Sequence, residues 1–163
     1  MSQDYIPLAT VTLASATSTV TFSNIPATYR DLIVVTSTFQ TNASDQLSNY
    51  RVNGDTSGIY NGVFMDTYPG TPASGSSSNQ TSGLWNYITN VSSTTPLSTI
   101  VQFLDYSATD KHKTALHRLG SGSLVGAYAT RVALTSAINS LTILATSGNY
   151  QTGSTFNLYG ILA

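Results

Sequence analysis

The chain has 163 residues and a mass of 17.2 kDa, with a formal net charge of −1 and a pI of about 6.0. That size fits one domain with a two-sheet core, and the charge balance gives no bulk electrostatic case for nucleic acid or an anionic membrane. Cysteine is absent, which excludes disulfides, thiolate metal sites and cysteine catalysis. Only 8% of residues are charged, Glu is missing, and Lys occurs only as Lys111 and Lys113. Those residue types build solvated helix faces, so their scarcity points to strands. A polar but weakly charged surface also suits extensive contact with other subunits better than free diffusion.

Strand signals begin early. Met1-Ser2-Gln3-Asp4-Tyr5 lacks the basic and apolar regions of a signal peptide, and no run reaches the ~18 apolar residues of a membrane span. Ala9, Val11 and Leu13 alternate with Thr10 and Thr12, and Val20 and Phe22 with Thr19 and Thr21. Leu32 to Phe39 opens apolar on both faces and is expected at the centre of a sheet. Tyr50 to Val52 leads into Asn53-Gly54, the strongest short hairpin signal in the chain. Val63 to Met65 is a further strand candidate.

Pro69 to Gly83 is rich in Ser and Gly and reads as a long surface excursion, with contact to a neighbouring subunit as its functional reading. Strand signals resume at Leu84 to Val91, Ile100 to Tyr106, Thr114 to Leu119 and Tyr128 to Leu134. The period over Ala127 to Ile138 fits a short helix as well as a strand. Leu141 to Ala145 and Phe156 to Ile161, joined through Ser147-Gly148-Asn149 and Thr152-Gly153-Ser154, read as a closing hairpin. A chain ending on a paired strand is expected to be complete at Ala163. The pattern predicts an all-β fold: a single-domain antiparallel β-sandwich of jelly-roll type over residues 1–163.

Catalytic signals are few. Lys111-His112-Lys113, His117 and Arg118, preceded by Asp105 and Asp110, form the one concentration of charge and imidazole. His112 and His117 stand at a spacing that suits neither one helix face nor one strand face, so a metal site lacks support. Gly120-Ser121-Gly122-Ser123 lacks the strand-to-helix context of a nucleophile elbow and reads as a turn. Asn53-Gly54-Asp55 with Asp66 lacks a calcium-loop pattern, and the three Asn-x-Ser/Thr sequons need a secretory route. The cluster is therefore expected to be a solvated loop or strand edge. Its functional reading is a docking patch in which Lys111, Lys113 and Arg118 meet acidic groups of a partner. No enzyme activity, metal or cofactor is expected. Tyr numbers 10 against a single Trp, and most of these rings are expected to be half-buried in the sandwich.

Three motifs in order carry a resemblance. They are Phe22-Ser23-Asn24-Ile25-Pro26 with Tyr29-Arg30-Asp31-Leu32, then Arg51-Val52-Asn53-Gly54-Asp55 with Tyr60. The third is the C-terminal Ile138-Asn139-Ser140-Leu141, Ser147-Gly148-Asn149, Gly153-Ser154 and Leu158-Tyr159-Gly160-Ile161. Together the chain resembles a family of small virion proteins of tailed bacteriophages, with residues 68–93 the least similar. The resemblance implies a capsid cement or decoration protein, expected as a homotrimer on the major capsid protein of the virion. A tail-fibre or receptor-binding module contacting host glycan is the alternative. Pro69, Ser76, Ser77 and Ser78 join the basic cluster as expected contact residues.

Overall fold

A computed structural model describes residues 5–39, 46–68, 71–88, 94–122 and 124–162. Among these there is no helix, and the strands are β1 (Tyr5–Thr12), β2 (Thr19–Phe22), β3 (Asp31–Thr38), β4 (Gln46–Val52), β5 (Tyr60–Tyr68) and β6 (Thr71–Gln80). They continue as β7 (Gly83–Ile88), β8 (Leu97–Leu104), β9 (Lys113–Ser121), β10 (Leu124–Val132), β11 (Leu141–Ala145) and β12 (Thr155–Ile161). An 8-stranded sheet runs β1-β12-β3-β8-β9-β10-β5-β6, and a 4-stranded sheet runs β2-β11-β4-β7. All ladders are antiparallel, giving a β-sandwich of unequal layers rather than the even eight-strand division of a simple jelly roll.

The core lies where the small sheet covers the large one. Tyr50 of β4 is its hub: the ring meets Tyr60, Trp85 and Phe103 edge-on at centroid distances of 5.7, 5.9 and 5.3 Å. Each such pair adds about 0.5–1.5 kcal/mol beyond the area it buries. Gly83 is required beside this hub, because a Cβ there would lie 2.2 Å from Tyr50 Cζ. β3 sits inside the large sheet between β12 and β8, as its doubly apolar start predicts.

The three resemblance motifs are architectural. Phe22, Ile25 and Leu32 are buried, and the Ile25 amide donates to Asn139 O at 2.9 Å. Tyr106 Oη donates to Pro26 O, and the Tyr29 ring lies against Gly160, leaving no room for a Cβ. Asn53 Nδ2 donates to Ala137 O at 2.8 Å, while its Oδ1 accepts from the Asn139 and Ser140 amides. Tyr60 Oη accepts from the Val52 amide and donates to Asp55 O.

Several expectations need correction. The Asn53-Gly54 turn has positive φ at both residues, yet it closes no hairpin. β4 pairs with β11 and β7, whereas β5 pairs with β10 and β6, so the turn carries the chain from one sheet to the other. The Asn53 side chain ties it to residues 137–140 instead. β11 and β12 likewise belong to different sheets and are not a hairpin. The expected excursion is largely strand: Thr71–Gln80 pairs with β5, while Pro69 lies outside the described residues. Its order comes from the neighbouring main chain, which an apolar pattern does not report. Residues 127–132 are strand, and the chain then runs irregularly to Ile138, whose amide donates to Tyr106 O at 3.0 Å.

Candidate functional site

The predicted basic cluster does not form one patch. β9 lies between β8 and β10, so Lys113, His117 and Arg118 stand on an interior strand, while Lys111 and His112 lie in the exposed loop that precedes it. Lys113 is buried, its Nζ donating to the carbonyls of Ala108, Lys111 and Thr135, and burial lowers its pKa against the opposing pull of Asp110 and Asp105. It staples the loop before β9 to the segment after β10, and that burial removes it from any docking surface. His117 is sealed among Tyr50, Trp85 and Tyr128, at ring-centroid distances of 5.6, 5.8 and 6.3 Å. Burial holds its pKa at about 3, with a smaller opposing contribution from the Trp85 main chain. Lys111 is exposed and pairs with Asp105 at 3.5 Å. Arg118 alone of the expected basic contacts reaches the open face of β9.

That open face carries the site. Side chains alternate along each strand, so cross-strand partners form rows over the outer surface of the large sheet. Ile100, Arg118, Ala127, Met65 and Ser74 oppose one another in turn across β8, β9, β10, β5 and β6. The adjoining row is Gln102, Leu116, Ala129, Val63 and Ser76, and Thr114, Arg131 and Asn61 follow. Val63, Met65 and Val125 are 58%, 64% and 61% exposed, high values for large apolar side chains on central strands.

Three adjoining hollows of about 600, 490 and 450 Å³ follow β5 and β10 from Thr67 and Val125 to Asn61 and Arg131. They make one groove with an aliphatic floor, arginines along one side and the β6 serines along the other. Ser76 stands on that wall, Ser77 and Ser78 line its last hollow, and all three are exposed. Asp66, a groove residue by its backbone position, turns its carboxylate inward to accept from Tyr128 Oη at 3.1 Å. Arg131 donates from Nε to His112 Nδ1 at 3.2 Å, which orients the guanidinium while its charge stays at the surface.

Val63, Met65, Val125 and Arg131 were not singled out by sequence reasoning. Their signal is visible in retrospect: β5 carries Tyr60 and Phe64 toward the small sheet and Val63 and Met65 away from it. Apolar residues on both faces mark a strand that is covered on both sides.

No family model matches this chain, and no curated protein does. Two solved structures share part of its layout. One is the crystal structure of the marine PL-14 alginate lyase from Aplysia kurodai, with TM-score 0.39 and 10% identity over 85% of this chain and 72% of that one. The other is a protein of unknown function from Shewanella oneidensis MR-1, with TM-score 0.29 and 10% identity over 97% and 76% of the two chains. Likeness of that degree carries no inference about activity or partners.

Proposed function

We propose that this chain is a structural subunit of a tailed-phage particle, a capsid cement or decoration protein that docks through the outer face of its large sheet. The observation that carries the reading is the open aliphatic floor formed by Val63, Met65 and Val125. Contiguous exposed apolar surface with a polar rim is the usual mark of a protein contact site. The virion setting is supported by the three motifs, and the low charge density supports assembly into a homotrimer on the major capsid protein. Among the described lining residues, the ionisable groups are Asp66 and Tyr128, hydrogen-bonded to each other and turned inward, and the two arginines, a set suited to binding rather than to proton transfer.

A glycan-binding tail module is the less favoured reading, because sugar contacts use exposed aromatic faces and this groove is aliphatic. Among the tyrosines whose exposure is described, the most exposed, Tyr5, lies on β1 at the far edge of the sheet. Particles lacking the protein distinguish the two roles. A cement subunit stabilises the assembled shell by mass action, so such heads should lose infectivity at a lower temperature while still adsorbing to cells. Heads that survive heating unchanged but fail to adsorb would overturn the cement role in favour of the fibre.

A further inference from the structure

We propose that the groove receives an extended segment of a partner protein whose groove-facing side chains run carboxylate, aliphatic, carboxylate at alternate positions. This rests on reading the outer face as the attachment surface and adds the chemistry of what attaches. Among the described residues, β5, β6, β9 and β10 contain Asp66, Lys113, His117, Arg118 and Arg131 as their ionisable Asp, His, Lys or Arg side chains. The first three are buried, so the exposed charges on this face are both guanidinium. A second copy presenting the same face would bring arginines toward arginines. An acidic partner meets them with complementary charge.

The spacing is also defined. Arg118 opposes Ala127, and Arg131 lies four residues further along β10, about 13 Å at the rise of a strand. Between those levels the floor is Met65, Val63, Ala127 and Ala129. An extended segment lying along the groove turns residues i, i+2 and i+4 to the same side and spans that distance between the first and last. Carboxylates at i and i+4 therefore reach the two guanidiniums, and an aliphatic side chain at i+2 covers the floor. The exposed β6 serines supply hydroxyls beside the segment's main chain.

The test uses the full chain and a fluorescent, end-capped peptide of sequence Ser-Glu-Ser-Leu-Ser-Glu-Ser, titrated by anisotropy. Saturable binding that weakens as salt rises is expected, with the lysine-for-glutamate peptide failing to bind. Arg118→Gln and Arg131→Gln should each weaken binding about threefold, as for exposed ion pairs, and flatten its salt dependence. Met65→Asp should abolish it, and Arg51→Gln, on β4 of the small sheet, should leave it unchanged; circular dichroism checks that each variant is folded. Absence of saturable binding, equal binding of the lysine peptide, indifference to both groove-arginine changes, or self-association that seals the face in sedimentation would each overturn the proposal. Particle heating can contradict the cement role while the peptide still binds, so failures of the two readings are separable.

Discussion

His117 is the residue whose chemistry departs furthest from its sequence context. An imidazole held at a pKa of about 3 stays neutral in the fold, while the unfolded chain takes up its proton near pH 6.5. The stability it permits is complete above pH 6.5 and declines as the pH falls toward 3, because the unfolded state then binds one more proton. By pH 5 the loss from this one group is about 2 kcal/mol. Urea midpoints measured from pH 7.5 to pH 5 should therefore fall in the wild type and flatten in His117→Phe, which keeps an aromatic ring among Tyr50, Trp85 and Tyr128. Equal slopes in both proteins would show that the titration lies elsewhere. Gly83 makes a second test at this scale. Gly83→Ala should cost about 2 kcal/mol in the same assay, since the added methyl meets a Tyr50 ring fixed on three sides. An unchanged midpoint would mean that the hub yields.

At the scale of the elements, legibility followed the apolar pattern and failed where order comes from pairing. β3 was readable because Leu32-Ile33-Val34-Val35 is apolar on both faces, and β12 because Phe156 and Leu158 alternate with Asn157 and Tyr159. β6 was not, since Thr71–Gln80 offers hydroxyls and glycine to both faces and owes its conformation to β5. Pairing partners were equally hidden. Nothing local to Asn53-Gly54 says that its flanking strands belong to opposite layers; that depends on the Asn53 side chain finding residues 137–140. Lys113 and His117 looked solvated because their residue types are usually exposed, and carbonyl cages and aromatic walls assembled from distant segments reversed both. β6 also yields a kinetic expectation. It borders one strand only and buries almost nothing, so its amides should exchange at least about 100-fold faster than those of β3 and β8. Mass-spectrometric hydrogen exchange on the free protein measures this, and core-like protection of Thr71–Gln80 there would mean that this edge is already covered by another copy.

For the whole molecule, the two layers are unequal and so are their duties. The small sheet closes the core around Tyr50, while the large sheet extends beyond it and leaves an aliphatic groove between Arg118 and Arg131 on its other side. A chain with 8% charged residues has little electrostatic repulsion to keep such a face apart from its neighbours, which is tolerable when the face is occupied in an assembly. Met65 reports on that occupation directly, being the only methionine besides Met1 and 64% exposed at the centre of the groove. Peroxide oxidation of Met65, read by mass spectrometry, should be rapid in the free protein and strongly suppressed in the proposed docked state on a phage particle. Equal oxidation in both states would contradict docking through this face.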